Sequence, residues 1–272
     1  MEVGLIFPPD QPPEALLVVA RAAEDAGIPE LWLWEDCFAE SGIACAAAAL
    51  AATDHLRVGI GLMPVPLRNV ALTAMEVATL ARMFPGRLLP GIGHGVLEWM
   101  GQAGVRADSP LTLLREYAVA LRRLLDGEQV TAQGRYVRLD RVQLRHPVPD
   151  EQRVPLFMGG ARPKTLALAG QLGDALVYDQ SVERLPELLG IALDARADAG
   201  RPDPFDVVAF CSVPIDSSAA LIAERLAALA AAGATRIPVC AVSAAGPPES
   251  GPALMDFATM VAAAIDDCAP QP

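Results

Sequence analysis

Apolar and polar positions alternate in blocks along the whole chain, and the spacing inside each block predicts its secondary structure. Runs of consecutive apolar residues predict strands at 3–7, 31–34, 57–63, 88–92, 156–158, 175–178, 207–213 and 236–242. Segments with apolar residues three or four positions apart predict helices at 13–26, 42–53, 69–84, 110–126, 163–172, 182–199, 219–231 and 252–268. The pattern is therefore a row of strand–helix units.

This repeat predicts an α/β protein with the fold of a single (β/α)8 TIM barrel. Eight units without an internal boundary favour a closed parallel sheet over an open one. Strands that are apolar throughout, such as 88–92, fit a sheet covered on both faces. We expect one barrel domain over residues 1–268, a flexible tail at 269–272, and a short hairpin at 130–144 inserted after the fourth helix.

Two of the predicted strands end in glycine-rich segments. The fourth strand is followed by Gly91, Gly93 and Gly95, and the fifth by residues 159–162, in which a Gly-Gly pair comes first. Glycine lets the backbone approach a ligand closely and leaves amide groups free to point at an anion. Because barrel active sites lie at the carboxyl ends of the strands, both segments predict a cofactor site on one rim.

The net charge and the positions of the cysteines limit the classes of partner and the cellular location that we expect. A formal net charge of −12 argues against a nucleic-acid partner, which needs a basic footprint, and against docking on anionic membranes. The five cysteines are scattered, which predicts reduced thiols and a cytoplasmic protein. Neither they nor the three histidines have the spacing of a metal site. The first residues show no signal peptide, and the alanine-rich stretch 44–52 is too short to span a bilayer.

Four segments at the strand ends occur in a recognisable order. They are 31–36 (LWLWED), 64–69 (PVPLRN), Gly86-Arg87 before 91–95 (GIGHG), and Gly159-Gly160. In this order they resemble the luciferase-like flavin and deazaflavin oxidoreductase family. The glycine-rich turns, and the use of arginine in place of almost all lysine, resemble the actinobacterial branch that uses coenzyme F420.

The resemblance implies an enzyme that transfers a hydride between reduced coenzyme F420 and a small organic substrate. It implies that Gly61, Leu62 and Met63, with a non-proline cis peptide bond, support the cofactor ring near Gly91, Gly93 and Gly95. It also implies that the cofactor phosphate binds at the turn formed by Gly159, Gly160, Ala161 and Arg162. A homodimer is compatible with the family.

Two side chains at the strand ends are candidates for acid–base catalysis. Asp36 closes the second strand, where the substrate should meet the cofactor, and its alternative role is a helix cap or an ion pair. His94 lies among the glycines and has an ordinary pKa near ~6.5, and its alternative role is a hydrogen bond to a loop carbonyl. Trp34, Glu35 and Tyr178 are the candidates for substrate binding.

Two other functions stay open. One is an FMN-dependent luciferase-like monooxygenase, because the same loops suit either cofactor. The other is a non-catalytic cofactor-binding or partner subunit. It stays open because Cys37 stands where many deazaflavin relatives carry histidine, and because the link after the seventh strand is short where many relatives carry an insertion.

Overall fold

The computed structural model describes residues 1–201, 204–243 and 251–268. Its strands are β1 Glu2–Phe7, β2 Glu30–Leu33, β3 Arg57–Pro64, β4 Leu88–Gly93, β5 Val130–Gln133, β6 Arg138–Val142, β7 Phe157–Gly159, β8 Ala175–Tyr178, β9 Asp206–Ala209, β10 Cys211–Pro214 and β11 Arg236–Val242. Its α-helices are α1 Leu16–Asp25, α2 Gly42–Ala52, α3 Val70–Met83, α4 Leu97–Gln102, α5 Pro110–Leu125, α6 Pro163–Leu172, α7 Leu185–Asp198, α8 Ala219–Ala231 and α9 Gly251–Cys268. The predicted tail at 269–272 lies outside the described residues.

The main sheet has the strand order of a closed barrel. The order is β1-β2-β3-β4-β7-β8-β9-β11-β10, and β1 also pairs with β11, so the sheet returns to its first strand. The pairs β1–β2, β2–β3, β4–β7 and β1–β11 are all parallel. Helices follow the strands, as expected for parallel pairing. The predicted (β/α)8 barrel is confirmed.

The structure differs from the predicted elements at two places. The predicted seventh strand is divided at Phe210 into β9 and β10, which both pair with β11. The short helix α4 was not predicted, because it contains Gly101, lies between Gly95 and Gly104, and is too short to show a periodic pattern. The hairpin is present as the antiparallel pair β5–β6, and residues 215–218 link β10 to α8.

The chain divides into two compact units, each described here by itself. Unit 1 contains Met1–Ile60, Val177–Leu189 and the described part of Asp206–Pro272. Unit 2 contains Gly61–Leu176 and Gly190–Phe205. A single domain over residues 1–268 stays a prediction.

In unit 1, Trp32 fills the sheet face formed by β1, β2 and β3. A Cβ atom on Gly59 would lie 2.5 Å from the Trp32 ring, and one on Gly4 would lie 2.8 Å from it. The indole Nε1 donates a 2.9 Å hydrogen bond to the buried carboxylate of Glu30. Glu30 also pairs with Arg236 and Arg57, so the charge of this buried carboxylate is balanced.

In unit 2, Asp174, between α6 and β8, is also a buried carboxylate that pairs with arginines, as Glu30 does in unit 1. Its carboxylate accepts hydrogen bonds from the Leu156 amide at 2.8 Å and from Arg122, Arg153 and Arg201 at 2.7 to 3.0 Å. Burial alone would raise the pKa of Asp174, but Arg122 and the other donors lower it below its ordinary value. The carboxylate therefore stays ionised.

The hairpin of unit 2 is held against the start of α5. Glu116 accepts hydrogen bonds from three consecutive amides at the hairpin tip, those of residues 135, 136 and 137, at 2.8 to 3.0 Å. The Tyr136 hydroxyl accepts a 2.8 Å hydrogen bond from the Ser109 amide. The hairpin thus fixes the residue that precedes α5.

Replacing Gly59 by alanine tests the packing of Trp32. The added methyl group would overlap the ring, so we expect Gly59→Ala to lower the free energy of unfolding by about 1–3 kcal/mol. Gly190→Ala is the matched control, because Gly190 lies in α7 with no atom within 4 Å of the added Cβ. There alanine should raise stability by about 0.5–1 kcal/mol. Calorimetric melting of both variants measures the difference, and equal melting temperatures would contradict this packing.

Candidate functional site

In unit 2, the two glycine-rich segments lie side by side. β4 and β7 are parallel neighbours, with Gly91 opposite Phe157 and Ile92 opposite Met158. Their carboxyl ends therefore meet at one edge of the sheet, which brings residues 93–95 next to residues 159–162. The sequence predicted that these segments share a rim, and this pairing confirms it.

A hydrogen bond joins the two segments. His94 Nε2 lies 3.0 Å from the hydroxyl oxygen of Thr165, a buried residue in the first turn of α6. A Cβ atom on Gly160 would lie only 2.5 Å from Cγ2 of the same threonine. Gly160 is therefore required for the turn to lie against α6 in this way.

The start of α6 has the features of an anion site. Pro163 occupies the first turn, and Arg162 at the N-cap position forms no side-chain capping hydrogen bond. In the first turn, Pro163 has no amide proton and the Thr165 amide donates to the Arg162 carbonyl at 2.9 Å, which leaves the Lys164 amide. The helix dipole favours negative charge at this end. Ala161 and Arg162 are exposed, so this end of the helix is accessible to an anion.

The end of β3 approaches the glycines that end β4. The Gly61–Leu62 peptide bond is cis, at the position expected from the family resemblance. Leu62 lies against Gly93, where an added Cβ would be 2.7 Å from Leu62 Cδ1. Met63 is buried, and Gly95 has a φ of +69°, which a non-glycine residue rarely adopts.

The surroundings of His94 keep its imidazole neutral. Burial lowers its pKa, and the positive charge of Arg162 lowers it further, while the Pro110 carbonyl acts in the opposite direction. Among the described residues, the buried Nδ1 atom has no hydrogen-bond partner of normal geometry. At neutral pH this side chain offers one ring N–H and one acceptor nitrogen.

In unit 1, Asp36 follows β2 and is half-buried. Its pKa is raised, first by burial and second by the negative charge of Asp179. Partial desolvation also raises the pKa of Asp179, which is an exposed residue just after β8. We did not single out Asp179 from the sequence, although its place directly after a predicted strand was a usable signal.

Trp34 packs on an aromatic residue that sequence analysis missed. The rings of Trp34 and Phe210 are 5.5 Å apart between centroids and inclined at 53°. Phe210 lies between β9 and β10, and its amide donates to the Tyr178 carbonyl at 3.3 Å. The prediction of one continuous strand hid the change in backbone pairing that brings Phe210 to Trp34.

Glu35 and Tyr178 make their contacts within unit 1. The Glu35 carboxylate accepts a 2.9 Å hydrogen bond from the Gly42 amide at the start of α2, a favourable place for negative charge. Tyr178 is 1% exposed, and its hydroxyl donates a 2.7 Å hydrogen bond to the Ser181 carbonyl. These contacts stabilise the fold, and substrate binding by either residue stays a prediction.

Three further observations concern the cysteine thiols, possible metal ligands and possible membrane-spanning helices. The five cysteines form no disulfide, and burial raises the pKa of Cys211 to about 11 and that of Cys240 to about 12, so both remain protonated thiols. In the described part of the chain, no group of histidine, cysteine and carboxylate side chains is arranged to hold a metal ion. Within the same residues, every helix is too short or too polar to cross a membrane.

The fold and the strand ends define a (β/α)8 barrel with glycine-lined strand ends, and comparison with known proteins identifies its family. Residues 1–259 match the sequence profile described as "Luciferase-like monooxygenase". The chain therefore belongs to the luciferase-like monooxygenase family, which confirms the predicted family and the enzyme class that it implies.

Three known proteins illustrate the range of similarity. The 5,10-methylenetetrahydromethanopterin reductase of Methanolobus tindarius is 29% identical over 81% of this chain and 67% of its own length. The F420-dependent hydroxymycolic acid dehydrogenase of Mycobacterium tuberculosis is 29% identical over 74% of this chain and 59% of its own length. The chain thus spans about two thirds or less of these relatives.

The third protein is similar in fold. The structure of an F420-dependent secondary alcohol dehydrogenase, in complex with an F420–acetone adduct, superimposes with a TM-score of 0.84 at 20% identity. The match covers 97% of this chain and 98% of that chain, so the fold is shared from end to end.

The environment of His94 gives a testable pKa. We expect its imidazole to titrate below the ordinary value of 6.5, because burial and Arg162 disfavour the charged form. Arg162→Ala should move the titration upward, whereas Arg138→Ala on the exposed hairpin should not. Imidazole NMR, assigned with a His94→Gln variant, measures this.

The linked effect on stability has a definite sign. The unfolded state binds this proton more tightly, so the contribution of His94 to stability is fully present above pH 6.5 and is lost as the pH falls from 6.5 through the lowered pKa of the folded state. A titration midpoint at or above 6.5 would contradict the buried, neutral state.

Proposed function

We propose that this protein is an oxidoreductase that binds coenzyme F420 and transfers a hydride between the reduced cofactor and a small organic substrate. The observation that carries the proposal is the joined pair of glycine-rich segments in unit 2, bridged by His94 and Thr165 beside the uncapped start of α6. Relatives that are F420-dependent by name support this cofactor.

The residues present fit a phosphate-bearing cofactor. Gly159, Gly160, Ala161 and Arg162 would bind the phosphate, because a turn that tolerates no Cβ at position 160 leads directly into an exposed arginine and the positive end of the α6 dipole. Gly61, Leu62 and Met63, with Gly91, Gly93 and Gly95, would support the ring. The cofactor itself supplies the hydride chemistry.

Asp36 is the proposed acid–base residue. Its raised pKa keeps the carboxyl group protonated over a wider pH range than an ordinary aspartate, so the carboxyl O–H can donate a proton to a substrate oxygen and take it back in the reverse direction. His94, which is neutral and whose Nδ1 has no hydrogen bond of normal geometry among the described residues, is the second candidate. We propose substrate contacts for Trp34, Glu35 and Tyr178.

An FMN-dependent monooxygenase is the alternative that the family description favours. Retention of a yellow flavin through purification would support it, whereas selective F420 binding would support the present proposal. A non-catalytic subunit would bind F420 without turnover of any substrate. A homodimer and a cytoplasmic location also remain proposals, and light scattering and fractionation test them.

A negative charge at the turn before α6 should abolish cofactor binding. Gly160→Glu adds bulk and charge at the phosphate site, and Ala161→Glu adds the same charge at an exposed position without touching Thr165. Both should abolish the quenching of F420 fluorescence on titration. Gly190→Glu is the matched control in α7 and should bind as the wild type does. Unchanged affinity in Ala161→Glu would show that the phosphate binds elsewhere.

Removing the acid–base group should affect turnover and not cofactor binding. We expect Asp36→Asn to lower kcat by about 10²–10⁴-fold with F420 affinity unchanged, measured by oxidation of reduced F420 over a panel of ketones. Asp179→Asn removes a negative charge that raises the pKa of Asp36. The limb of the pH–rate profile that reports Asp36 should therefore move to lower pH. A limb that stays in place would assign the proton transfer to another group.

A further inference from the structure

The tip of the hairpin β5–β6 has a fixed position in unit 2. The Glu116 carboxylate, on α5, accepts hydrogen bonds from three consecutive tip amides. The guanidinium of Arg135 lies 5.1 Å from the centre of the Tyr136 ring and pairs with Asp108 at 2.8 Å. The Tyr136 hydroxyl then accepts the 2.8 Å hydrogen bond from the Ser109 amide. The place of this hydroxyl group is therefore set from several sides.

The contact with Tyr136 holds the start of α5 from outside the helix. Ser109 is the N-cap residue, yet its side chain forms no capping hydrogen bond, and its Oγ lies 2.8 Å from the hydroxyl oxygen of Thr112. Pro110 follows in the first turn and has no amide proton. The Ser109 amide is therefore the backbone donor through which the hairpin holds this end of α5.

The start of α5 reaches the glycine-rich end of β4 through His94. The Pro110 carbonyl lies beside the imidazole. Since Nε2 is 3.0 Å from the Thr165 hydroxyl, Nδ1 is the nitrogen left to face this carbonyl. A carbonyl oxygen only accepts, so Nδ1 carries the ring proton and Nε2 accepts from Thr165. The geometry at Nδ1 is short of a normal hydrogen bond, so a small shift of Pro110 changes how firmly the ring is held.

Thr165 carries the connection to the turn before α6. Its hydroxyl and methyl groups branch from one Cβ, so a bond that holds the hydroxyl also fixes the methyl group. That methyl carbon, Cγ2, is the atom that a Cβ on Gly160 would approach to 2.5 Å. The turn therefore rests on a side chain whose rotation is held by His94.

We infer that Tyr136 is a positioning residue for the cofactor turn at Gly160, because its hydroxyl group holds the start of α5 against His94 and, through Thr165, against that turn. This inference rests on the proposed function and adds the hairpin to the same site. Both nitrogens of His94 then serve the fold, which favours Asp36 for the proton transfer.

The test combines imidazole ¹⁵N NMR of the whole protein with F420 titration. Above the ordinary histidine pKa of ~6.5, the ring of His94 should be a single tautomer with the proton on Nδ1, assigned with His94→Gln. Tyr136→Phe keeps the ring and removes the hydroxyl group. We expect both tautomers in this variant, and a dissociation constant for F420 that is raised about three- to tenfold.

Two controls separate positioning from loss of stability. Arg138→Ala changes an exposed side chain of the same hairpin, and Gly59→Ala destabilises unit 1. Both should keep the single tautomer and the wild-type affinity.

A second variant acts on the same contact from the other side. Glu116→Gln removes the charge that holds the hairpin tip and leaves the Tyr136 hydroxyl in place. It should change the tautomer and the affinity in the same direction. Its effect should not add to that of Tyr136→Phe in the double variant, since both changes release one contact.

The outcomes are distinct. If F420 binds to Tyr136→Phe and Glu116→Gln as it does to the wild type, or if their tautomer is unchanged, the inference is wrong and the proposed function stands. Equal effects in Gly59→Ala would assign the change to stability and would also overturn it. If the wild type does not bind F420, the proposed function fails and the inference fails with it.

Discussion

The absence of a Cβ atom at a few strand and turn positions sets how closely the elements of this protein approach one another. In unit 1, Gly59 and Gly4 leave the space that Trp32 occupies. In unit 2, Gly93 leaves space for Leu62, and Gly160 lies directly over Thr165. The hydrogen bond between His94 and Thr165, and the approach of the β3 end to β4, both depend on this close packing. Within each unit, strand ends packed in this way have a backbone surface that few substitutions can preserve.

The buried carboxylates of the chain fall into two electrostatic kinds. Glu30 and Asp174 are each surrounded by arginines, and their role is to join strands and loops within one unit. Asp36 has another carboxylate, Asp179, as its electrostatic neighbour, and its pKa is raised. The arginines favour the ionised form of both groups: they leave the pKa of Asp174 lowered, whereas burial leaves the pKa of Glu30 raised despite Arg236 and Arg57. The second arrangement favours the protonated carboxyl group, as the acid–base role proposed for Asp36 requires.

The sequence predicted most of the fold because residues that commonly end helices and strands stand at the boundaries of many elements. The strand Ala175–Tyr178, the helix Ala219–Ala231 and the strand Arg236–Val242 were predicted to the residue, since glycine, aspartate or serine residues bound them. The break at Phe210 was missed because an apolar run does not show where pairing with β11 is interrupted. The His94–Thr165 and Asp36–Asp179 pairs were missed for a related reason. Each joins segments far apart in the chain, and their contact follows from the register of strands, which no local pattern encodes.

The hairpin β5–β6 shows how little is needed to fix an insertion to a barrel. One carboxylate, that of Glu116, accepts three consecutive amides at the tip. Desolvation works against these hydrogen bonds, but they lower the pKa of Glu116 below its ordinary value. The clamp is therefore complete above pH 4.5 and weakens only as the pH falls through the lowered value. Just below pH 4.5, where an ordinary glutamate is more than half protonated, Glu116 keeps more of its charge and this loop keeps its anchor.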